Sequence, residues 1–315
     1  MARYRYVIAD VFTDTPLQGN QLAVFTDARG LEDEEMQALA REMKFSESVF
    51  VLPPEGEGHA RMRIFTPTAE LPFAGHPTLG CAFVLAGPLQ VEEIRLETLS
   101  GVVAVALERE GDRIVFGRMQ QPLPTWRPFE DEAELLAGLG LERAELPVEL
   151  YDNGMHHVYV AFRSAGEVAV LKPDLSAFED APAVLVFNCF APEGAHWKTR
   201  VFSPSGGFLE DPATGSAAGP LAVHLARHGR IAFGEEIEIS QGAEIGRPSK
   251  LYARADGSAE QLEAVEVGGS AVVVARGEFR LPDGPGGRYG VNERAVISGS
   301  SITSARQKRP PSVER

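Results

Sequence analysis

The sequence predicts an α+β protein of two similar halves, in each of which strands surround one buried helix. One segment appears twice: residues 63–67 (RIFTP) are matched by residues 200–204 (RVFSP), at an offset of 137 (63 to 200). Each copy opens with stretches rich in β-branched and aromatic residues, which favour strands. Each copy then reaches an apolar run that suits a helix enclosed by sheet rather than a helix on the surface.

Two further matches occur in the same order along the chain. Residues 75–80 (GHPTLG) are matched with residues 211–215 (DPATG) at an offset of 135 (77 to 212). Residues 19–24 (GNQLAV) are matched more weakly with residues 153–158 (NGMHHV), at an offset of 134 (20 to 154). Three matches at nearly one separation indicate an internal duplication.

In the first half, an amphipathic helix is predicted over residues 33–44. Met36, Leu39 and Met43 recur there at steps of three and four, and Asp33 can cap the helix start. The enclosed helix begins near Pro77, where a missing N–H is harmless. The strands predicted for this half are residues 4–12, 21–26, 93–98, 102–108 and 113–116.

The second half repeats this order, with its enclosed helix after Thr214. Its predicted strands are residues 148–151, 157–162, 236–240, 251–254, 261–265 and 271–276. Prolines 122, 124 and 128 predict a linker over residues 120–130. The predicted domains are therefore 1–120 and 121–282, with a C-terminal extension, 283–315, that has no assigned role.

Composition excludes several classes of function. Of 315 residues, 30 are Lys or Arg and 45 are Asp or Glu, so a formal net charge of -15 repels nucleic acid. No apolar run approaches the roughly 18 residues that a membrane span needs, and the N-terminus lacks a signal-peptide pattern, which predicts a cytoplasmic protein. The two cysteines, Cys81 and Cys189, are too few and too far apart for a disulfide framework or a zinc site, and we expect both to be buried.

The starts of the two enclosed helices are candidate binding sites. Gly75 and His76 begin one, and Gly215 and Ser216 begin the other. Free N–H groups and the positive end of a helix dipole bind a carboxylate, although glycine at such a place can also serve only to shape a turn. If the halves face each other, both starts point into one crevice, and His76 and Asp211 enter it.

Glu47 is the candidate proton carrier. It lies between hydroxyl residues and aromatic residues in the segment 45–50 (FSESVF), where burial would raise its pKa toward neutrality and suit it to take and return a proton. The alternative is an ordinary surface glutamate. His224 and His228, four apart on a predicted helix, have no acidic or cysteine partner nearby in sequence, so we predict that they are solvated and bind no metal.

Five blocks of the sequence resemble the PhzF-like isomerases of phenazine biosynthesis, over about residues 6–280. The blocks are residues 13–20 (TDTPLQGN), 45–48 (FSES), 73–78 (FAGHPT), 210–217 (EDPATGSA), and 241–242 (QG) followed by 246–249 (GRPS). The resemblance implies the diaminopimelate epimerase-like fold, in which each of two domains is a β-barrel-like sheet wrapped around a central helix and the active site lies between them. It also favours a homodimer.

The resemblance further implies residue roles. Glu47 would be the single acid/base, assisted by His76 and Asp211. The substrate carboxylate would be held by Ser46, Gly75, Gly215 and Ser216. Gln241 would contact a polar substituent of the substrate, and no cofactor is required. The substrate itself does not transfer, because relatives with these catalytic residues occur in organisms that make no phenazine.

Three functions follow from these expectations, in order of preference. The first is a cofactor-independent isomerase of a small carboxylic acid, with Glu47 as its only base. The second is a two-base epimerase or racemase in which Asp211 supplies the other acid; the two-thiol version used by other members of the fold is disfavoured, because this chain has no matching cysteine pair. The third is a protein that binds small carboxylates without catalysis.

Overall fold

A computed structural model describes residues 1–182, 184–204 and 209–282 of the chain. The described residues form a mixed α+β structure, in which 18 strands belong to one extensively bent sheet and five α-helices pack on it. The predicted fold class is confirmed. The predicted extension, 283–315, lies outside the described residues.

The first half contains the two predicted helices and a larger number of strands than predicted. Its elements are β1 (Ala2–Val11), β2 (Asn20–Phe25), α1 (Asp33–Met43), β3 (Glu47–Leu52), β4 (Ala60–Phe65), β5 (Glu70–Leu71), α2 (Gly75–Leu89), β6 (Glu93–Thr98), β7 (Gly101–Glu110) and β8 (Arg113–Gln120).

The second half begins inside the predicted linker. Its elements are β9 (Thr125–Pro128), α3 (Glu132–Gly138), β10 (Glu149–Asp152), β11 (His156–Ala161), α4 (Ala165–Ala169), β12 (Leu185–Glu193), β13 (His196–Phe202), β14 (Glu210–Asp211), α5 (Gly215–Arg227), β15 (Glu236–Gln241), β16 (Ser249–Gly257), β17 (Leu262–Gly269) and β18 (Ala271–Leu281). The prediction of an irregular linker over 120–130 was therefore wrong in part. β9 pairs with β10 there, and its one proline, Pro128, is tolerated because β9 is short and Pro128 is its last residue.

The helices α2 and α5 are enclosed, as predicted from their all-round apolar sequences. Leu79, Cys81 and Ala82 of α2 and Ala222 and Leu225 of α5 lie in one large core with strands of both halves. Fully burying a leucine contributes roughly 1.5–3 kcal/mol, so these helices are held by packing and not by propensity alone. Both cysteines are buried, as expected.

The start of α1 differs from the prediction in one detail. Asp33 is the first residue of the helix, and Glu32 is the N-cap, because Glu32 and Glu35 exchange side-chain and backbone hydrogen bonds as a capping box. The Asp33 carboxylate instead accepts from Arg63 on β4. Among the helices of the described residues, none is both long and apolar enough to cross a membrane.

The two halves share one pattern of strand pairing. In the first half Ser48 pairs with Phe65, and in the second Phe187 pairs with Phe202. In each half, an arginine on one strand, β4 or β13, forms a bidentate ion pair with a glutamate on the short strand beside it, β5 or β14. These pairs are Arg63 with Glu70 and Arg200 with Glu210.

The pairing corrects two of the sequence matches. Leu22 and His157 lie opposite Glu47 and Val186, the residues before Ser48 and Phe187, so residues 19–24 are matched at an offset of 135 (22 to 157) and the predicted offset of 134 was wrong. Glu70 and Glu210 hold equivalent places, so the segments that lead into α2 and α5 correspond at an offset of 140 (70 to 210), and Gly75 corresponds to Gly215. The predicted offset of 135, which set Pro77 beside Pro212, was wrong. The loop before the short strand is longer in the second half, and that added length shifts the alignment.

Backbone pairing between strands also joins the two halves within the one sheet. β18 pairs with β1 along almost its whole length, and β17 pairs with β8. The last strand of the described residues thus lies against the first one. The domain boundaries at residues 120 and 282 remain a prediction.

Candidate active site

The helix starts of the two halves meet at Gly75 and Gly215. A Cβ atom added at Gly75 would lie 2.8 Å from the backbone C of Gly215 and 2.8 Å from the backbone N of Ser216. Glycine is required because no side-chain movement can relieve a contact between two backbones. The first turns of both helices therefore line one cavity between the halves, as the sequence predicted.

Glu47 enters this cavity from the first position of β3, where the strand leaves the loop after α1. Its side chain is 14% exposed, and its Oε2 atom lies 3.4 Å from Nε2 of His76. Within the described part of the chain, neither of these two atoms makes a hydrogen bond with another protein group. They are thus free to act on a bound molecule.

Burial controls the ionisation of both groups. It raises the pKa of Glu47 well above the ordinary value; the charge of Asp211 adds to this shift, and a hydrogen bond with Ser46 opposes it. Burial lowers the pKa of His76 to about 3, with the Gln21 backbone opposing the shift, so the imidazole is neutral at physiological pH. A carboxyl group displaced in this direction is suited to general acid/base catalysis.

Asp211 reaches the cavity from β14 in the other half. Its carboxylate accepts hydrogen bonds from the Thr214 hydroxyl and, at 2.9 Å, from the amide of Asn20. Burial raises the pKa of Asp211, and these two hydrogen bonds oppose the shift. Two buried carboxyl groups in one cavity each make it harder for the other to ionise.

Asn20, which the sequence analysis did not select, links the two halves at the site. Its Nδ2 atom donates to Asp211 and, at 3.0 Å, to the carbonyl of Ala213, and it lies 3.3 Å from Nδ1 of His76. Its Oδ1 atom accepts from the Ser46 hydroxyl at 3.1 Å. Asn20 is the last residue of the first of the five blocks that carry the family resemblance, which is the signal that could have pointed to it.

Replacing Asn20 by alanine is expected to lower kcat by about 10- to 100-fold, because it frees Asp211 and Ser46 from their shared partner. The pKa of Asp211 should rise further, since the amide hydrogen bond favours the charged form. The pH profile of kcat/KM measures this shift. Asn188→Ala, an equally buried asparagine that contacts no carboxylate, is the matched control. An unchanged pH profile in Asn20→Ala would contradict the assigned role.

The remaining predicted site residues divide into two groups. Ser216 is buried in the first turn of α5 and lines the cavity. Ser46 is connected to the site by the hydrogen bond that its hydroxyl donates to Asn20. Gln241 lies behind the cavity: its amide donates to the Asp211 carbonyl and the Thr214 hydroxyl, and its Oε1 accepts from the Thr214 N–H. We propose that Gln241 positions the 211–214 turn instead of contacting the substrate.

The cavity also has an apolar wall, formed by the side chains of Leu71, Met155, Val186 and Val201. The sequence analysis did not identify these residues. Their types are those of any buried strand, so only their positions in the folded chain reveal them.

The prediction that His224 and His228 are solvated was wrong. His224 is fully buried, and both rings contact the carboxylate of Glu149, at 3.2 Å and 3.0 Å. The same Glu149 oxygen accepts from Arg227 at 2.8 Å. Burial would raise the pKa of Glu149, but hydrogen bonds from both histidines and from Arg227 hold it well below its ordinary value. Glu149, His224 and His228 could hold a metal ion, yet the Arg227 guanidinium already pairs with the carboxylate. Glu149 lies 75 residues from His224 in the sequence, so spacing could not show the pair's partner.

The architecture is a fold that is also found in epimerases and racemases. A hydroxyproline epimerase from Agrobacterium vitis superposes with a TM-score of 0.59 at 11% identity, covering 89% of this chain and 93% of that one. At that identity the likeness shows the fold alone.

The family follows from closer matches. Residues 9–277 match the family model described as phenazine biosynthesis-like protein, and the chain belongs to this family of PhzF-like isomerases. A PhzF-family protein from Bacillus anthracis superposes with a TM-score of 0.79 at 27% identity, covering 89% of this chain and all of that one. The trans-2,3-dihydro-3-hydroxyanthranilate isomerase of Pseudomonas aeruginosa is 53% identical over 278 residues, which is 88% of this chain and all of the relative. The isomerase of the same name from Pseudomonas chlororaphis is 50% identical over 281 residues. This chain is an isomerase.

Proposed function

We propose that this isomerase moves a proton between carbons of a small carboxylic acid, with Glu47 as its only base. The observation that carries the proposal is the pairing of Glu47 with neutral His76 in a cavity between two helix starts. The substrate carboxylate binds at the free N–H groups of α2 and α5, near Gly75, Gly215 and Ser216. This places an adjoining C–H bond within reach of Glu47.

The reaction uses only protein groups. The Glu47 carboxylate takes a proton from carbon, and the electron pair of the broken C–H bond shifts an adjacent double bond. The resulting carboxylic acid then returns the proton to a different carbon, which restores the carboxylate. His76 and Asp211 stabilise the intermediate by hydrogen bonding, because both lie beside Glu47 in a site of low polarity.

The positions of the carboxyl groups favour one base over two. A two-base epimerase needs acids on opposite faces of the reacting carbon. Here Asp211 shares Asn20 with His76, the neighbour of Glu47, and its charge acts on Glu47. In deuterated water, one base should return part of the original hydrogen to the same face, whereas two bases would invert the centre and introduce solvent deuterium.

We propose trans-2,3-dihydro-3-hydroxyanthranilate as the substrate, because the relatives at 53% and 50% identity carry the name of its isomerase. It is a small amino- and hydroxy-substituted carboxylic acid. Such a molecule suits a site in which two helix starts can bind a carboxylate and the apolar wall can contact a hydrocarbon ring. Incubation followed by NMR should show migration of a hydrogen between ring carbons. Binding without hydrogen migration or exchange would favour the non-catalytic alternative.

The raised pKa of Glu47 sets opposite pH dependences for activity and stability. Only the carboxylate form of Glu47 can take a proton. We therefore expect kcat/KM to rise with pH over a range that lies well above 4.5, the ordinary pKa of glutamate. Between 4.5 and the raised pKa, the folded state binds more protons than the unfolded state, so the free energy of unfolding falls as pH rises.

Urea unfolding of the parent and Glu47→Gln tests the stability part. The variant should be the more stable protein at about pH 9, and the difference should shrink at about pH 4, where both side chains are neutral. A parent that gains stability relative to Glu47→Gln as pH rises would contradict the buried, neutral state of Glu47.

The proposal also includes a cytoplasmic homodimer, which the family resemblance favours. Light scattering on the purified protein should give twice the mass of one chain. The mass of a single chain would contradict this part alone.

A further inference from the structure

The strand registers assign counterparts in the other half to three polar residues of the site, Glu47, Asp211 and Asn20. Because Ser48 and Phe187 pair with equivalent phenylalanines, they are counterparts. The residue before each is therefore also equivalent: Val186 in the second half holds the place that Glu47 holds in the first. Both side chains line the cavity.

Asp211 has an apolar counterpart in the same way. It pairs with Val201 on β13, whereas Leu71 pairs with Ile64 on β4. Each of these residues stands four positions before the glycine that begins its helix, so Leu71 holds the place of Asp211. Leu71 also lines the cavity.

The counterpart of Asn20 is Met155. In the parallel pairs, Leu22 lies opposite Glu47 and His157 lies opposite Val186. Asn20 precedes Leu22 by two residues, and Met155 precedes His157 by two residues. Met155 is a further member of the apolar wall.

The polar residues of the site form one connected cluster, because Glu47 contacts His76, and Asn20 contacts His76 and Asp211. Their counterparts have the same arrangement with the halves exchanged: Glu47 and Asn20 come from the first half and Asp211 from the second, whereas Val186 and Met155 come from the second half and Leu71 from the first. Of the described residues that line the cavity, the titratable ones are Glu47, His76 and Asp211, and all belong to the polar cluster.

On the basis of the proposed function, we propose that Val186, Leu71 and Met155 are specificity-determining residues. They receive the hydrocarbon face of the substrate and keep that face free of proton carriers. The proton therefore leaves and returns only on the face toward Glu47. Each half contributes a helix start that binds the carboxylate. The face of the ring that reacts is decided by the apolar residues Val186, Leu71 and Met155, which stand where the other half has polar residues.

Val186→Thr tests this role, because threonine has nearly the shape of valine and adds a hydroxyl. The hydroxyl loses its hydration against the hydrocarbon face of trans-2,3-dihydro-3-hydroxyanthranilate, so KM should rise about tenfold while kcat changes less than about threefold. The matched control is Val160→Thr. Val160 is fully buried on β11 but packs in the core cluster on the side away from α5, so its KM should equal that of the parent.

The face of reaction is measured in deuterated water. Deuterium that the parent enzyme incorporates should have a single configuration at the carbon that receives it. Deuterium of both configurations would overturn the inference. So would an unchanged KM in folded Val186→Thr, or an equal rise of KM in Val160→Thr.

Glu47→Gln separates this inference from the proposed function. If turnover requires Glu47 but Val186→Thr binds substrate like the parent, only the role of the apolar wall is wrong. If the parent does not convert the substrate, or Glu47→Gln converts it at the parent rate, both proposals are wrong.

Discussion

Glu47→Gln should lower kcat by at least about 1000-fold and leave substrate binding nearly intact, since general acid/base groups contribute about 10²- to 10⁴-fold and here one group makes both transfers. Glutamine has the shape of glutamate and can keep contact with His76, but it cannot accept a proton from carbon. Steady-state kinetics and calorimetric binding of trans-2,3-dihydro-3-hydroxyanthranilate measure the two quantities separately.

The control for this variant is Glu97→Gln. Glu97 is another largely buried glutamate, but its carboxylate accepts hydrogen bonds from the backbone N–H groups of Glu55, Gly56 and Gly58, outside the cavity. Its replacement should reduce stability and leave kcat near the parent value. Turnover of Glu47→Gln within about tenfold of the parent would rule out Glu47 as the proton carrier.

Gly75→Ala should cause the second large effect, a loss of both stability and activity. The new methyl group would meet backbone atoms of Gly215 and Ser216 at 2.8 Å, and neither helix start can rotate away as a side chain could. Overpacking of this kind costs about 1–3 kcal/mol or more. Because the same contact aligns the two carboxylate-binding helix starts, kcat/KM should fall by at least about 100-fold.

Gly87→Ala is the control within the same helix. A Cβ atom at Gly87 would meet no heavy atom within 4 Å. Alanine favours a helix over glycine by roughly 0.5–1 kcal/mol, but a side chain before Pro88 opposes this gain, so the variant should have nearly the stability of the parent, with full activity. If thermal unfolding and kinetics of Gly75→Ala matched those of Gly87→Ala, the close approach of the two helix starts would be wrong.

The enclosed helices and most strands could be predicted because their signals are local. The all-round apolar run after Pro77 and the alternation of β-branched residues need no knowledge of distant segments. The short strands β5 and β14 could not be predicted, because two residues carry no periodic signal and each strand depends on its pairing with β4 or β13. The cap of α1 was displaced by one residue because both Glu32 and Asp33 can accept backbone hydrogen bonds.

Part of the site could be predicted because some of its residues also belong to local sequence motifs. Glu47, His76 and Asp211 were selected from local blocks, and the structure brings all three to one cavity. Asn20 was missed because its role depends on contacts with residues 56 and 191 positions away. The partner of His224 and His228 was missed for the same reason, and the pair was therefore wrongly predicted to be solvated.

By itself, the sequence determined the fold class, the duplication, the two helix starts and the residues that can carry a proton, because each is encoded in residue types at short spacing. Only the tertiary structure decided how the two copies align, that Gly75 must approach Gly215, and that Val186 faces the cavity from the position equivalent to Glu47. Those facts depend on distances between residues remote in the chain, where burial and contact, and not composition, set the pKa of a carboxyl group and the face on which it acts.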